Sequence, residues 1–285
     1  MAPAADRPAA LRPWLARWRL TPEAVLGRSP WSLAMRVRRD GRPLVLKLVD
    51  PATDEMNGAP LLARFGGRGA VRLLARDGAA SLLECAQPGR PLAALVGEGR
   101  DDAATRILCT VAQALHQAPI AGAPCPTVAR LGAGFARIRR HPRRAALPPA
   151  TLDRAAGLYR DLAASQDRRV LLHGDLHHEN VLFDAGRGWL AIDPKGALGE
   201  PAWEAGAALR NPLGPDTPAA DPETMARRVA VMAEMLALDR RRILGWCAAQ
   251  AVLAAIWSIE AGRGRPVRLA HWLAVADCAW GLPDR

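Results

Sequence analysis

The chain has 285 residues, half of them hydrophobic, and carries a formal net charge of +11 at pH 7. This length and composition suit a globular protein of one large domain or two lobes with a sizeable core. A basic chain can bind nucleic acid or an anionic membrane surface. Here the basic residues are scattered, and three Phe and one Tyr offer few rings for base stacking, so we expect neither partner.

The cysteines and the apolar segments indicate in which cellular compartment the protein is expected. Five cysteines, an odd number without a CxxC pair, fit neither a disulfide framework nor a zinc site, so we expect buried thiols in a reducing cytoplasm. The N-terminal segment contains charges and prolines and lacks the apolar core of a signal peptide. The longest apolar stretch, residues 247–257, is interrupted by Gln250 and is too short to span a bilayer.

Lysine is scarce. Of the 39 basic residues, only Lys47 and Lys195 are lysines, and the others are arginines. Together with the abundance of Ala, Gly and Pro, this indicates a composition bias that has replaced Lys by Arg wherever a positive charge alone is enough. A compact ammonium and a planar guanidinium are not equivalent at a phosphate site. The positions of the two remaining lysines are therefore informative.

The first part of the chain predicts a short helical segment and a hairpin. Residues 11–26, rich in Trp and Leu, predict a helix or a pair of short turns. Residues 32–38 and 43–49 form a hairpin pattern around Asp40 and Gly41, a pair that suits a tight turn.

Two charged residues of this part are candidate site residues. Lys47 lies inside the second strand of the hairpin, where a lysine either extends to solvent or binds an anion. Glu55 belongs to the run that opens at Asp54 and precedes a short Leu-rich helix, which Gly58 and Pro60 disturb. Glu55 is either the partner of Lys47 or an exposed acid at a helix start.

Residues 67–86 predict two further strands, joined at residues 77–78, and these complete a small antiparallel sheet with the hairpin. The last strand ends at residues 84–86. The composition turns loop-like at residues 87–89, and we place a boundary there.

Beyond this boundary the pattern is mainly helical. The predicted helices are residues 102–117, 151–164, 221–238, 239–260 and 267–279. Apolar residues recur at helical spacing in the first, and Asp221 with Pro222, and then Asp239, supply start signals for the third and fourth. The Pro- and Arg-rich connector at residues 119–149 is interpreted as a solvated surface or, as the second choice, an anion-binding patch.

The chemistry is concentrated between the second and third of these helices. Residues 171–183 read LLHGDLHHENVLF and residues 188–196 read GWLAIDPKG, two short apolar strands with polar groups at their ends. Asp175, Asn180 and Asp193 form a set of hard oxygen ligands, which suits magnesium and a phosphate chain. Two alternatives stay open: these side chains bond their own backbone in turns, or the imidazoles at positions 173, 177 and 178 bind zinc.

HGDLHHEN and IDPKGALGE resemble the catalytic loop and metal-binding element of the kinase fold. They are most similar to the aminoglycoside phosphotransferases, in the branch of the streptomycin 6-phosphotransferases and hydroxyurea kinases. The resemblance implies a two-lobed α+β fold like that of protein kinases. We expect residues 1–85 to form a nucleotide-binding lobe with a small antiparallel sheet, 86–89 a hinge, and 90–285 a mostly helical catalytic lobe.

The resemblance also implies roles for individual residues. Asp175 would be the catalytic base and Asn180 and Asp193 the magnesium ligands. The residues expected to bind ATP are Lys47 at the phosphates, Glu55 as its partner, Ser32 in a phosphate-covering loop at residues 27–32, and Glu84 and Ala86 through their main chains. The loop departs from the GxGxxG pattern of protein kinases, because it has one Gly.

Local charge suggests the acceptor. Residues 173–204 contain six acids against two basic residues, a local charge of −4 in a chain of +11. Carboxylates can bind guanidinium groups in bidentate fashion. We therefore expect a cationic small molecule, a streptomycin-like aminoglycoside whose phosphorylation confers resistance. The candidate substrate-binding acids, which could instead cap helices or pair with Arg, are Glu179, Glu200, Glu204 and Glu260.

Two other functions remain possible from the sequence: a kinase of the same fold that phosphorylates a metabolite alcohol, and a basic module that binds anions or nucleic acid. The fold and the phosphoryl-transfer residues do not determine the acceptor. The sequence leaves open the hydroxyl that is phosphorylated, the use of GTP in place of ATP, and the oligomeric state.

Overall fold

The computed structural model describes residues 9–212, 218–262 and 266–283. The strands are β1 (Thr21–Arg28), β2 (Ser32–Arg39), β3 (Arg42–Val49), β4 (Leu73–Asp77), β5 (Ala80–Glu84), β6 (Pro88–Pro91), β7 (Val170–Leu172), β8 (Val181–Asp184), β9 (Gly188–Ala191) and β10 (Ala197–Gly199). The α-helices are α1 (Arg12–Arg17), α2 (Gly58–Phe65), α3 (Ala93–Gly97), α4 (Asp101–Leu115), α5 (Val128–Leu131), α6 (Gly134–Ile138), α7 (Pro149–Ala164), α8 (Pro201–Leu209), α9 (Pro222–Leu236), α10 (Arg240–Glu260) and α11 (Pro266–Gly281). Short 3₁₀ helices include Asp54–Asn57 and His178–Asn180.

The first five strands form one antiparallel sheet in the order β1-β2-β3-β5-β4. The predicted hairpin of β2 and β3 is confirmed, because Arg39 faces Arg42 across a two-residue turn. Asp40 and Gly41 in this turn have φ angles of 49° and 76°. Such a turn requires left-handed backbone at both residues, and Asp and Gly adopt it most readily.

The prediction for residues 11–26 is only partly right. A helix covers Arg12–Arg17, but β1 begins at Thr21 and pairs with β2. Strand β1 lies at the sheet edge and is almost wholly exposed, so its residues show no alternation of apolar and polar side chains. Without that alternation, the sequence carries no strand signal there.

The two faces of the sheet contact different cores. Leu46 of β3 packs with Leu11, Leu33 and Leu82 in a small core, and α1 covers this face. Val45 lies on the opposite face, which turns toward α2 and the larger core. Lys47 follows Val45 by the strand period of two, so it shares the face that is turned toward the rest of the chain.

Helix α10 is the centre of the larger core and packs against α7, α8 and α11. From Ile243 to Ile259 nearly every residue is buried, as expected for a helix surrounded by protein. By length and composition it could cross a membrane, but 83% of its apolar window is buried inside the protein. The apolar stretch at residues 247–257 is thus only part of a longer helix, and burial identifies that helix as part of the core.

The start signals for the late helices are confirmed. Asp221 accepts a hydrogen bond from the backbone N–H of Thr224, and Asp239 accepts one from that of Arg242. Helix α8 was not predicted, because nearly every residue in it is buried and it lacks an amphipathic period. The connector at residues 119–149 also contains the short helices α5 and α6.

The central motif contributes to two small sheets. Strand β7 pairs with β10, and β8 forms a hairpin with β9 that also pairs with β6. Asp175 and Asn180 therefore lie in the segment that connects β7 to β8, and Asp193 lies in the segment that connects β9 to β10. The predicted division at residues 86–89 falls where the five-stranded sheet ends and β6 begins.

All five cysteines are free thiols. Cys109 and Cys247 are buried, and burial raises the pKa of each thiol to about 12. The other three are only half-buried, so the expectation of buried thiols holds for two of the five.

Candidate active site

Four charged side chains from distant parts of the chain meet below the five-stranded sheet. Lys47 is 8% exposed, and its Nζ donates to Oδ1 of Asp193 at 2.8 Å. The same Nζ lies 3.6 Å from Oε2 of Glu55. Lys195 donates to the other oxygen, Oε1, of Glu55. The structure thus brings the predicted residues Lys47, Glu55 and Asp193 together and adds Lys195, which had no predicted role.

The loop that carries Asp193 is fixed to the HGD segment by backbone contacts. The N–H groups of Lys195 and Gly196 both donate to the carbonyl oxygen of His173, at 2.9 and 2.8 Å. Gly174 has a φ of 83°, and a Cβ there would lie 2.8 Å from the nitrogen of Gly196. Only glycine suits such a close approach of two backbones. Asp193 itself has a φ of 58°, an uncommon conformation for a residue with a side chain.

Asp175 is partly exposed and has cationic or potentially cationic neighbours. Its carboxylate lies 3.6 Å from the guanidinium of Arg210 and 3.7 Å from Nε2 of His177. Burial alone would raise the pKa of Asp175, but the contact with His177 and the charge of Arg210 hold it well below its usual range. Asp175 is therefore ionised at neutral pH.

The imidazole of His173 orients this loop. It is fully buried, and its Nε2 bonds the carbonyl oxygen of Ile192 at 2.9 Å. Its Nδ1 accepts the backbone N–H of Asp175 at 3.3 Å. Burial lowers the pKa of His173, so the ring is neutral. His173 thus links the segment before Asp193 to the segment that carries Asp175.

Asn180 is held by the same loop. Its Nδ2 donates to the carbonyl oxygen of Asp175 at 2.9 Å and lies 3.1 Å from Nε2 of His177. Fixing the amide nitrogen in this way leaves the amide oxygen for another ligand. A carboxamide oxygen and the carboxylate of Asp193 are donors that magnesium prefers, so the residues fit that ion.

No group of three or more His, Cys, Asp or Glu side chains is placed to hold a metal among the described residues. Magnesium commonly binds through one or two protein ligands plus substrate phosphates. The imidazoles of the zinc alternative are directed elsewhere: His173 bonds Ile192, His177 contacts Asp175 and Asn180, and His178 is buried.

Two of the four acids expected to bind substrate are instead buried structural groups. Glu204 is 3% exposed and accepts the backbone N–H groups of His173 at 2.6 Å and Gly174 at 3.0 Å. Glu200 is 6% exposed and binds the guanidinium of Arg242 at 2.5 Å and the indole N–H of Trp246. Their burial and their partners favour the alternative in which these acids pair within the protein, and sequence charge alone does not reveal such partners.

The other two acids are more accessible. Glu179 is exposed, two residues from His177, and its Oε2 lies 3.5 Å from Nδ1 of that ring. Glu260 is half-buried near the end of α10 and accepts two hydrogen bonds from Arg137, at 2.9 and 3.0 Å. Of the four acids, Glu179 lies nearest in sequence to Asp175.

The loop at residues 27–32 joins β1 to β2. The Oγ atoms of Ser29 and Ser32 lie 3.0 Å apart, and the Oγ of Ser29 accepts the backbone N–H groups of Trp31 and Ser32. These bonds fix the turn. Ser32 begins β2, which pairs along its length with the strand that carries Lys47.

The predicted hinge is anchored to the β8–β9 hairpin. Arg187, in the turn between β8 and β9, donates to the carboxylate of Glu84 and to the carbonyl oxygen of Gly67. Asp184 accepts the backbone N–H of Gln87 at 2.9 Å. Ala86 is buried beside these contacts. Neither Arg187 nor Arg210 was predicted as a site residue, because a single Arg in an Arg-rich chain is not distinctive.

Comparison with known proteins agrees with this geometry. Residues 17–262 match the model of the aminoglycoside/hydroxyurea antibiotic resistance kinases. The chain is 38% identical to the streptomycin 3''-kinase of Klebsiella pneumoniae, over 94% of this chain and 99% of that protein. It is 34% identical to the streptomycin 6-kinase of Streptomyces glaucescens, over 90% and 84% of the two chains.

The fold is also that of solved kinases. The structure of aminoglycoside phosphotransferase APH(4)-Ia in a ternary complex with ADP and hygromycin B matches with a TM-score of 0.66 at 15% identity, covering 96% of this chain and all of that one. The two-lobed, kinase-like α+β fold implied by the resemblance is therefore confirmed. The chain belongs to the family of aminoglycoside/hydroxyurea antibiotic resistance kinases.

Proposed function

We propose that this protein transfers the γ-phosphoryl group of ATP to a hydroxyl of a streptomycin-like aminoglycoside, in a magnesium-dependent reaction that confers resistance. The observation that carries the reaction is the joining of two residue pairs, Lys47 with Asp193 and Asn180 with the main chain of Asp175. The N–H of Ile192, the residue before Asp193, donates to the carbonyl oxygen of Asn180 at 2.9 Å and so links the two segments. The acceptor class is supported by the 38% identity to a streptomycin kinase across nearly the whole of both chains. Because ATP is an intracellular donor, we propose that the reaction takes place in the cytoplasm.

Asp175 acts on the acceptor hydroxyl. Its pKa is held below the usual range, so it is a weak proton acceptor in the ground state. Its main contribution is therefore to accept a hydrogen bond from the hydroxyl and aim the oxygen at the phosphorus. The proton moves to Asp175 late, once bond formation has made the hydroxyl acidic. Such positioning is the principal form of catalysis in phosphoryl transfer.

Lys47 and the two oxygen ligands act on the donor. The ammonium of Lys47 neutralises phosphate oxygens, for which its salt bridge to Asp193 must give way. Asp193 and Asn180 would then hold magnesium. Bound magnesium would neutralise the charge that develops on the phosphate oxygens. Ser32 lies in the turn at residues 27–32, which would cover the phosphates, and its hydroxyl would donate to a phosphate oxygen.

The adenine site is proposed at residues 84–89. The side chain of Glu84 is engaged by Arg187, and the N–H of Gln87 by Asp184, so the base would contact the main chain of Glu84 and Ala86. In this assignment residues 1–85 form the nucleotide-binding lobe, 86–89 the hinge and 90–285 the catalytic lobe.

We assign the binding of the cationic acceptor to Glu179, and also to Glu260 if the ion pair between Glu260 and Arg137 opens. Glu179 is exposed and lies four residues from Asp175, so a guanidinium bound there is near the transferred group. Glu260 already binds one guanidinium in bidentate fashion, that of Arg137, and a substrate guanidinium could replace it. The proposed acceptor is a small cationic molecule and not nucleic acid or a membrane.

The test is an assay of ADP release with streptomycin, hydroxyurea, choline, a neutral alcohol and an acidic alcohol as acceptors, and with Asp175→Asn as the control for uncatalysed turnover. We expect streptomycin to stimulate turnover, and added salt to raise its KM more than that of a neutral acceptor. NMR of the product identifies the phosphorylated hydroxyl. If no aminoglycoside stimulates turnover while a neutral or acidic alcohol does, a metabolite kinase is the correct function.

A further inference from the structure

Arg210 is a buried cation beside the proposed catalytic base. It lies at the C-terminal end of α8, is 7% exposed, and its Nη2 is 3.6 Å from Oδ1 of Asp175. Among the described residues, the other ion-pair contact of this carboxylate is Nε2 of His177, 3.7 Å from Oδ2. The hydrogen bonds of His173 and Asn180 reach only the main chain of Asp175. The direction of the carboxylate therefore depends on Arg210 and His177.

The backbone and the side chain of Arg210 are both fixed by other helices. Its carbonyl oxygen accepts a hydrogen bond from Nε2 of His271, on α11, at 3.2 Å. Its Nη1 donates to Oε1 of Gln250, on α10, at 3.0 Å. A side chain that is held at both ends has few other conformations to adopt. The guanidinium therefore stays beside Asp175.

Gln250 is a polar residue in the core helix. It is the single polar residue of the stretch 247–256, and it is 1% exposed. Its Nε2 donates to the carbonyl oxygen of Trp203, so both ends of the amide are bonded. A Cβ at Gly206 would lie 2.5 Å from Cδ of Gln250, so the absence of a side chain on α8 makes room for the amide.

Packing alone does not account for this amide. Burying a polar group costs free energy unless it is hydrogen-bonded, and a leucine would suit an apolar helix at the same position. The bond that an apolar residue could not make is the one to the guanidinium of Arg210. Gln250 therefore connects the core helix to the cation beside Asp175.

We propose that Arg210, held by Gln250, is a positioning residue that fixes the carboxylate of Asp175 for the acceptor hydroxyl. This inference rests on the proposed function, since it takes Asp175 as the group that orients the hydroxyl. A small misplacement of such a group is costly to the rate. The nucleotide is assigned to other side chains, so Arg210 should affect kcat and not the binding of either substrate.

The first test is steady-state kinetics with streptomycin, together with calorimetric titration of magnesium–AMP-PNP. We expect Arg210→Met to lower kcat at least about tenfold and to change the KM for streptomycin and the affinity for AMP-PNP less than about twofold. Arg210→Lys keeps a positive charge beside Asp175, so its kcat should exceed that of Arg210→Met at least about threefold. Gln250→Leu removes a partner of the guanidinium and should lower kcat at least about fivefold.

Double variants show whether these effects pass through Asp175. In an Asp175→Asn background, Arg210→Met should lower the residual turnover less than about twofold, because the carboxylate to be positioned is gone. In an Arg210→Met background, Gln250→Leu should likewise change kcat less than about twofold, since the cation that it holds is absent.

The control for the loss of a half-buried ion pair is Arg242→Met. Arg242 is also on α10 and binds the carboxylate of Glu200 at 2.5 Å. In the part of the chain that the structure describes, it makes no ion pair with Asp175. This variant should melt at a lower temperature than the wild type and keep kcat within about twofold. If Arg210→Met does not fold, Gln250→Leu, which keeps the cation, decides the question alone and in the Asp175→Asn background.

Melting temperatures also give a test that does not need turnover. Asp175→Asn leaves Arg210 buried without its counter-charge, so removing Arg210 as well should cost less than removing it alone. The melting-temperature losses of Asp175→Asn and Arg210→Met should together exceed the loss in the double variant by at least about 2 °C.

Four kinetic results overturn the inference: wild-type kcat in Arg210→Met or in Gln250→Leu, a loss confined to KM, an Arg210→Met effect that persists fully in the Asp175→Asn background, or an equal loss of kcat in Arg242→Met. If the wild-type protein releases no ADP with streptomycin, the proposed function fails. The melting-temperature cycle then decides whether Arg210 holds Asp175, and additive losses would refute it. The two failures are therefore distinguishable.

Discussion

Replacing Glu204 with Gln tests the role that the structure gives to this buried carboxylate. Its two oxygens accept the backbone N–H groups of His173 and Gly174, and these residues lead directly into Asp175. Glutamine has nearly the same shape but only one acceptor oxygen. Its amide nitrogen would face a backbone N–H, which then has no acceptor. The loop that carries Asp175 would lose one of its two attachments to α8.

The expected cost follows from the bond that is lost. A hydrogen bond to a charged group contributes about 1.5–3 kcal/mol, and at 3% exposure the carboxylate is little screened by solvent. For a chain of this size, a loss of that order lowers the melting temperature by about 3–5 °C. Because Asp175 moves with the loop, we also expect kcat to fall at least about tenfold, which corresponds to about 1.4 kcal/mol, with little change in the KM for streptomycin.

Differential scanning calorimetry and steady-state kinetics measure the two effects. The matched control is Glu179→Gln, because Glu179 is exposed and contacts His177 in its own loop. That variant should keep the wild-type melting temperature and raise the KM for streptomycin. A Glu204→Gln protein that melts like wild type and differs only in this KM would refute the structural role, and would restore Glu204 as a substrate ligand.

Three further predictions concern the reaction and its pH dependence. Asp175→Asn should lower kcat at least about 100-fold and leave nucleotide affinity within about threefold, because it removes the hydroxyl's acceptor and no phosphate contact; near-normal turnover would exclude Asp175 as the base. Lys47→Arg should lower kcat/KM for ATP at least about tenfold, since a planar guanidinium replaces a point charge between Glu55 and Asp193; wild-type kinetics would contradict the argument from lysine scarcity. Burial lowers the pKa of His173 in the folded protein, so the unfolded chain binds the extra proton. The contribution of His173 to the free energy of unfolding should therefore be fully present above about pH 6.5. At lower pH it should fall by up to about 1.4 kcal/mol per pH unit. Urea unfolding at several pH values measures this, and a slope unchanged in His173→Gln would contradict it.

The features that the sequence predicted well are those whose causes are local. Asp40 and Gly41 form a turn because their own backbones tolerate it, and Asp221 and Asp239 cap helices within their own first turns. Strand β1 was missed because its pairing with β2, and not its own pattern, makes it a strand. Helix α8 was missed because burial on every side removes the period that marks a helix.

The residues of the candidate site also fall into two groups, those predicted from a local pattern and those whose role depends on tertiary contacts. Asp175, Asn180 and Asp193 were predicted from short motifs with fixed spacing. The role of Glu200 depends on Arg242 and Trp246, 42 and 46 residues later in the chain, and no pattern around Glu200 indicates them. The sequence gives the charge of each acid, whereas tertiary contacts determine whether that charge faces a substrate.

Helix α10 has a consequence for how the protein is made. A 21-residue segment with the length and hydropathy of a membrane span is hazardous when it leaves the ribosome uncovered, since exposed apolar surface promotes aggregation. Two of its packing partners, α7 and α8, are synthesised before it, and only α11 comes after. Because of this order, α7 and α8 are already available to pack against α10 when it leaves the ribosome. Helix α11 follows soon afterwards in the chain and packs against the remaining apolar surface.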